Sequence, residues 1–331
     1  MKNGIYVYGV IQTSEPKEFG EIGIGGKASK VFTIAFKDLA AVVSKSPLRV
    51  YDSLAKEKAI KDLVTHQLVI EKVMESLAIL PVKFGTMVEA KDDVIKLLDT
   101  GYFLLRNQLR KIDGKIELYV VASWKLPEAA ASLYHQSQRI KRKQAEIGLK
   151  GDKATLEDKI SLGKLVEQKL KNRQEKTNKI ILQTLKKEVV DFCQHDIFKE
   201  NMVFNTGFLV EKTSEELFNK TLNLLDQKLK GTLNFRLVGP LPPYSFSTIL
   251  FEKISPMAVD RAKKMLGLNG EITDKTVNHA YRQLAQKYHP DKNASQGQLS
   301  FDLINSSYKL LKNFIEKGFF NVDIHSWEVQ R

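Results

Sequence analysis

A stretch near the C-terminus constrains the fold more tightly than any other part of the chain. The segment "DKTVNHAYRQLAQKYH" (274–289) has apolar side chains at three- and four-residue spacing, which predicts a helix with one buried face. The tripeptide His289-Pro290-Asp291 ends this pattern, because proline lacks an N–H and disfavours helical geometry in the residue before it. After a polar loop, "LSFDLINSSYKLLKNF" (299–314) repeats the apolar spacing. The two segments predict an antiparallel helical hairpin with the tripeptide in its loop.

The first 126 residues change hydrophobic period several times. Runs of β-branched and aromatic residues predict strands, and three- and four-residue apolar spacing predicts helices. The predicted strands are 4–12, 31–36, 39–47, 79–88 and 116–124, and the predicted helices are 53–77 and 92–112. This order predicts an α+β domain with a largely antiparallel sheet over residues 1–126.

The middle of the chain is helical in pattern and rich in charge. Residues 127–200 predict two helices, separated by a glycine-containing break. Residues 201–254 then predict a strand, a helix and a second strand, a unit too small to bury both sheet faces without packing on those helices. We therefore expect two small α+β domains joined by charged helices. An all-α hairpin unit at 258–318 and a tail at 319–331 complete the predicted organisation.

The positive charge is concentrated in one region. The net charge of the chain is +13, and residues 136–190 hold fifteen Lys and Arg against seven Asp and Glu. Such a balance favours an acidic protein face, nucleic acid or an anionic surface as a partner. No aromatic side chains alternate with the basic ones in this region, so we expect no nucleic acid.

The cysteine count and the hydropathy pattern indicate a compartment. Cys193 is the single cysteine, which excludes an internal disulfide and a cysteine-based zinc site. The first residues are too short and polar for a secretory signal, and no apolar run is long enough to span a membrane. We expect a cytoplasmic protein with no membrane span.

No group of residues reaches catalytic quality. The segment "GIGGKAS" (23–29) lacks the glycine-to-lysine spacing of a phosphate-binding loop. The six histidines include no pair with metal-ligand spacing, and no serine lies in a G-x-S-x-G turn. We predict that the chain is not an enzyme and needs no cofactor or metal.

The hairpin segments carry a specific resemblance. "AYRQLAQKYHPDKN" and "SFDLINSSYKLL" are similar to the J-domain of DnaJ-type co-chaperones, with each motif residue at the family's offset. The resemblance implies that His289, Pro290 and Asp291 stimulate ATP hydrolysis by a DnaK-type chaperone. It also implies that Arg282 and Lys287 form a basic docking face. The chain lacks the Gly/Phe-rich segment and the cysteine repeats of full DnaJ proteins, so any client must be bound by the preceding residues.

Those preceding residues resemble another family. "YVYGVI", "LAAVVS", "ILPVKFGTMV" and "LVGPLPPYSF" occur in the order seen in the gas vesicle protein GvpF/GvpL family, over about residues 4–253. The resemblance implies two α+β domains and a role in gas vesicle assembly, with contacts to the shell protein GvpA and other Gvp proteins. The proline-rich turn holds Tyr244 and Phe246 either as a partner-binding edge or as a corner closing the core. For His66, a structural role is favoured over a catalytic one.

These resemblances lead to one functional prediction and one alternative. We predict a cytoplasmic, gas vesicle-associated assembly factor that binds the shell protein or other Gvp proteins. Its J-domain would recruit a DnaK-type chaperone. The alternative is a structural scaffold or minor shell component whose J-like segment is non-functional, although the intact tripeptide argues against it.

Overall fold

The computed structural model describes residues 3–25, 29–49, 51, 55–199, 201–229, 232–288 and 297–326. The chain divides into two compact units. The first combines Met1–Arg110 with Thr248–His325, and the second contains Lys111–Ser247. Residues distant in sequence therefore belong to the same unit.

Strands and helices are mixed along the chain and the strands pair antiparallel, which confirms the predicted α+β fold class. The strands are β1 (Asn3–Gln12), β2 (Glu18–Gly23), β3 (Ser29–Phe36), β4 (Leu39–Pro47), β5 (Ile79–Pro81), β6 (Met87–Val88), β7 (Lys115–Trp124), β8 (Asp191–Gln194), β9 (Met202–Glu211), β10 (Leu233–Leu241), β11 (Thr248–Lys253) and β12 (Phe320–His325). The helices are α1 (Lys56–Met74), α2 (Lys91–Thr100), α3 (Tyr102–Ile112), α4 (Leu126–Gln136), α5 (Gln138–Lys150), α6 (Leu156–Leu185), α7 (Glu215–Lys228), α8 (Pro256–Met265), α9 (Asp274–Tyr288) and α10 (Gly297–Lys317).

The first unit is built on an antiparallel sheet in the order β2-β3-β4-β1-β5, with β6 also pairing with β1. β1 is central, and Tyr6, Val7, Tyr8, Val10 and Ile11 within it are fully buried. Helix α1 contributes an inner apolar face to the same unit. The predicted strand 79–88 is in fact two short strands, and the predicted helix 92–112 is divided in two at Gly101.

The second unit contains a four-stranded antiparallel sheet in the order β10-β7-β9-β8. Its core joins aromatic residues of β9, such as Phe204 and Phe208, to Ile181 and Leu185 of α6. The prediction that β7 belongs to the N-terminal domain is wrong, because β7 pairs with β9 and β10 in this sheet. Hydrophobic periodicity identifies a strand but does not specify which sheet it joins.

Along the chain, helices α8, α9 and α10 lie between the two strands of a small antiparallel sheet. β11 precedes α8 and β12 follows α10, and the two strands pair in register from Thr248 with His325 to Lys253 with Phe320. Strand β12 lies within residues 319–331, for which a tail was predicted and no strand. The short segment gives little periodic signal, because a six-residue strand is defined mainly by its partner.

Candidate functional site

Helices α9 and α10 form the predicted hairpin, and an apolar seam joins them. Val277 of α9 is fully buried against Ile304 and Leu311 of α10, with α8 completing the cluster. The start of α9 is fixed by Thr273 and Thr276: each hydroxyl accepts from the other residue's backbone N–H, at 3.3 and 3.0 Å. Such a cap satisfies N–H groups that have no partner within the helix.

Two tyrosines connect the helices by matched contacts. The rings of Tyr281 and Tyr308 are stacked, with centroids 4.2 Å apart. The Tyr281 hydroxyl donates to Asn305 Oδ1 at 2.9 Å, and the Tyr308 hydroxyl donates to Asn278 Oδ1 at 2.8 Å. Each tyrosine thus packs against the other helix and hydrogen-bonds to it, so both residues hold the hairpin together.

The outer face of α9 carries the basic residues that the sequence analysis singled out. Arg282 and Lys287 are exposed, and Lys275 and His279 are exposed on the same helix. The Lys287 ammonium lies 5.5 Å from the ring centroid of Tyr288. This face presents positive charge to solvent and is suited to an acidic partner surface.

The tripeptide His289, Pro290 and Asp291 lies outside the described residues. α9 ends at Tyr288 and α10 begins at Gly297, so the helices on both sides of this segment are in place. The structure thus describes the hairpin and its basic face, and the role of the tripeptide stays a prediction.

The two strands flanking the hairpin attach it to the N-terminal part of the first unit. Lys83 N–H of the N-terminal region donates to the Ile249 carbonyl of β11 at 2.9 Å. Lys253, also in β11, contacts both carboxylate oxygens of Asp93 in α2 at 2.9 and 3.0 Å. We call β11 and β12 the clasp, since they bring both ends of the helical unit together on one surface.

Strand β12 packs closely on the same part of the first unit. A Cβ added to Gly101, at the end of α2, would lie only 2.7 Å from Val322 Cγ1. The Lys96 ammonium of α2 lies 4.9 Å from the ring centroid of Phe320. The clasp is therefore held by packing, by a cation–π contact and by an ion pair.

The proline-rich turn forms a buried polar corner in the second unit. Phe246 is 9% exposed and packs with Cys193 and Leu209, so its side chain is not displayed. Tyr244 is half-buried. The burial of Phe246 agrees with the core-closing alternative, and a partner-binding role for Tyr244 stays a prediction.

Ser245 links the proline-rich turn to a buried carboxylate, that of Glu117. Its hydroxyl donates to Glu117 Oε1 at 2.6 Å, and its backbone N–H donates to Oε2 at 2.9 Å. Burial raises the pKa of Glu117 to about 7, although both hydrogen bonds act in the opposite direction. His195 Nε2 lies 3.1 Å from the same hydroxyl. The site lacks room for a larger residue, since a Cβ on Gly207 would lie 2.6 Å from Glu117 Oε1.

The order of these three groups does not fit a nucleophilic triad. The serine lies between the acid and the imidazole, and its proton is directed to the carboxylate, whereas a triad places the imidazole in the middle. Sequence analysis missed Glu117 and His195, because 128 and 50 residues separate them from Ser245.

His66 occupies a comparable buried position in the first unit. Tyr6 Oη lies 3.0 Å from His66 Nδ1 and accepts from the Gly85 N–H, also at 3.0 Å. The pKa of His66 falls to about 4, because burial disfavours the charged imidazolium. Its buried, hydrogen-bonded ring fits the structural interpretation.

Helix α1, which carries His66, also has a second apolar face. Ile60, Leu63, Val64 and Leu68 are 45–55% exposed, on the side opposite its buried residues. The four residues lie within about two and a half turns of helix. We call these four residues the outer α1 face.

Among the described residues, no helix is long and apolar enough to cross a membrane. Within the same residues, no cluster of three or more His, Cys, Asp or Glu could hold a metal ion.

The fold and the hairpin together define a two-part protein, with an α+β body followed by a J-domain. The family model for gas vesicle synthesis protein GvpL/GvpF matches residues 4–248, and the DnaJ domain model matches residues 264–318. Because the first match covers well over half of the sequence, the chain belongs to the GvpL/GvpF family.

Individual relatives agree with both assignments. Gas vesicle protein F of a Nostoc species is 25% identical over 252 residues, covering 75% of this chain and 100% of the relative. Gas vesicle protein F of a Streptomyces species is 29% identical, covering 73% and 98%. DnaJ protein homolog 1 of Drosophila melanogaster is 41% identical over 59 residues, covering 18% of each chain.

A solved structure is similar to the body. The crystal structure of GvpF from an Anabaena species matches with a TM-score of 0.63 and 23% identity, covering 73% of this chain and 97% of that one. At this identity the match shows the fold. The predicted gas vesicle family and the predicted J-domain are both confirmed.

Proposed function

We propose that this chain is a non-enzymatic gas vesicle assembly factor that stimulates a DnaK-type chaperone on behalf of a gas vesicle protein client. The observation that carries the proposal is the attachment of the J-domain to a family body. The clasp brings both ends of the helical unit to α2 and β5, while the basic face of α9 stays exposed. A chaperone docked on α9 would then act next to a client bound by the first unit.

The chemistry of the α9 face supports a chaperone partner. Exposed cations steer association with an acidic surface and suppress binding to basic ones. Arg282 offers a planar, permanently charged fork for carboxylates. Asp291 supplies a fixed negative charge at the loop for a basic group on the chaperone.

The first experiment measures steady-state ATP hydrolysis by the host's DnaK-type chaperone with and without the full chain. Stimulation that is lost in Asp291→Asn and reduced in Arg282→Glu supports the proposal. Lys309→Glu, on the exposed side of α10, is the matched control and should stimulate normally. No stimulation by the wild-type chain would instead favour the scaffold alternative.

The outer α1 face supports a shell-protein client. Exposed apolar patches mark binding surfaces for apolar partners, and a hydrophobic shell subunit needs such a surface before assembly. We expect the chain to delay aggregation of refolding shell protein. Val64→Ser with Leu68→Ser should weaken this effect, whereas Leu217→Ser with Leu224→Ser, equally exposed on α7, should not. Equal loss in both double variants would contradict the assignment of the client to α1.

A further inference from the structure

The second unit contains an exposed helical hairpin that the proposed function does not use. We call residues 138–176 of α5 and α6, with the turn between them, the basic arm. No residue from 156 to 176 is buried, whereas Thr177, Ile181 and Leu185 at the base of α6 are. At 1.5 Å per residue, the exposed part of α6 is about 30 Å long.

The charge of the arm is strongly positive. It contains twelve Lys and Arg and six Asp and Glu. A groove of about 410 Å³ between α5 and α6 is lined by four basic residues and one acidic residue: Arg139, Arg142, Lys143, Lys164 and Glu146. Ser161, Leu165 and Gln168 complete its lining, so the groove also offers polar and apolar contacts.

The end of the arm is apolar and firmly built. Leu149 is 90% exposed, Leu156 is 74% exposed and Ile160 is 48% exposed. Between them, Thr155 and Asp158 form a capping box, and the Lys150 ammonium binds Asp158 Oδ1 at 2.7 Å. The exposed leucines are thus presented by a fixed turn.

The apolar end and the basic groove lie along one line of α6. Leu156, Ile160 and Lys164 follow one another at four-residue spacing, which places them on the same helix face. A single partner could therefore contact apolar and basic groups together.

These features favour an acidic protein helix over other anionic partners. The arm has no aromatic side chain on which bases could stack, and its leucines offer nothing to a phosphate backbone. Asp152 lies between the exposed leucines and Glu157 directly follows the second of them, which opposes insertion into an anionic lipid surface. An amphipathic acidic helix matches both parts, with carboxylates for the groove and apolar side chains for the end.

We propose that the basic arm is a docking surface for an acidic, amphipathic helix of a partner protein. The arm belongs to the second unit and uses neither α9 nor the outer α1 face. It would give the assembly factor a contact that is separate from both the chaperone and the shell-protein client.

The test uses the full chain and defined probes in fluorescence anisotropy. The main probe is a labelled peptide with glutamates on one helical face and leucines on the other. A second peptide replaces the leucines with serines. Short duplex DNA and phosphatidylglycerol vesicles test the other anionic classes.

Two sets of variants divide the surface. Arg139→Glu, Arg142→Glu and Lys164→Glu together reverse the groove, and Lys179→Glu, Lys186→Glu and Lys187→Glu make the same charge change at the exposed base. Leu149→Ser with Leu156→Ser removes the apolar end. Leu217→Ser with Leu224→Ser is the control on α7.

We expect the leucine peptide to bind more tightly than the serine peptide. The groove variant should lose about tenfold in affinity and its base control much less. The apolar-end variant should bind both peptides alike. Equal binding of the two peptides by the wild-type chain would overturn the proposal. Tighter, arm-dependent binding of DNA or vesicles would overturn it as well.

Discussion

The chain contains two helical hairpins that are stabilised in opposite ways. In α9 and α10, Val277, Ile304 and Leu311 are buried and two tyrosines bond across the seam. In the basic arm, Ile140 is the one buried residue among residues 138–176. Apolar burial makes the first hairpin a folded unit, whereas the arm depends on its base and on local caps. The arm therefore leaves Leu149 and Leu156 exposed, where the proposed partner helix would contact them.

The largest contrast should be in the loss of stability when one leucine is shortened in each hairpin. The leucine is buried in α10 and half-buried in the arm. Leu311→Ala should destabilise α9 and α10 by about 3 kcal/mol, since it leaves a cavity in a fully buried seam. Leu165→Ala in the arm should cost less than about 1 kcal/mol. Hydrogen exchange of the two hairpins measures both. Equal costs would remove the contrast between them.

The second effect is the pH dependence of the stability of the second unit. This unit contains both the basic arm and the buried polar corner around Glu117. Because the folded pKa of Glu117 is raised to about 7 from 4.5, the folded state retains the proton more strongly. Stability of this unit should therefore fall as pH rises from 4.5 to 7, by on the order of 3 kcal/mol, and then level off. Tyr119, Cys193 and His195 also face this carboxyl or its hydrogen-bond partner.

Urea unfolding between pH 5 and pH 8 measures this slope. Trp124 reports on the second unit in a Trp327→Phe background, since the chain has two tryptophans. Glu117→Gln should flatten the slope. A slope that survives in this variant would place the pH dependence on another group.

The unit that contains α9 and α10 should respond to acid in the opposite direction. The pKa of His66 is lowered to about 4 from 6.5, so the unfolded state binds the proton first as pH falls. Stability of the first unit should decrease as pH drops from 6.5 through 4. His66→Gln, measured by the same titration with hydrogen exchange of α1 as the readout, should remove the decrease.

The basic arm has no counterpart to the clasp. We expect an intermediate loss of stability when the clasp is disturbed. Gly101→Ala would place a Cβ 2.7 Å from Val322 Cγ1, and overpacking of this kind costs about 2 kcal/mol. Amides of β11 and β12 should exchange faster, while those of the arm should not change. Gly148→Ala, at an open position in α5, is the control. Unchanged exchange in the clasp would show that β12 packs more loosely than described.

A smaller effect should follow from loss of one tyrosine hydroxyl. Tyr308→Phe leaves the stacked ring in place but removes the bond to Asn278, at a cost of about 1 kcal/mol. Tyr281→Phe should behave in the same way through Asn305. Because the two rings are in contact, the losses measured by thermal unfolding should not simply add in the double variant, and strict additivity would show that the two hydroxyls act independently.

The smallest effect is expected at the end of the arm. Asp158→Asn removes the ion pair with Lys150 and weakens the cap of α6, and both groups lie at the surface. Circular dichroism should show a nearly unchanged melting temperature of the chain. Amide hydrogen exchange should become faster only in the turn between α5 and α6. The pKa of Asp158, lowered to about 2 chiefly by its hydrogen bond with Lys150, keeps this cap charged at any ordinary pH.

Local patterns in the sequence were enough to predict several elements of the fold. Apolar spacing predicted α9 and α10, and the tripeptide at 289–291 predicted where α9 ends, which the structure places at Tyr288. Period, caps and breakers act within a few residues, so they can be read directly from the chain. The same local character made the two family resemblances visible.

Which elements pack together became visible only in the folded chain. It placed β7 in the second sheet, paired β12 with β11, and brought Glu117 and His195 to Ser245. None of these contacts has a local signal, because each depends on how distant segments share a core. Burial then set the pKa values of Glu117 and His66, since desolvation depends on surroundings that only the folded chain supplies.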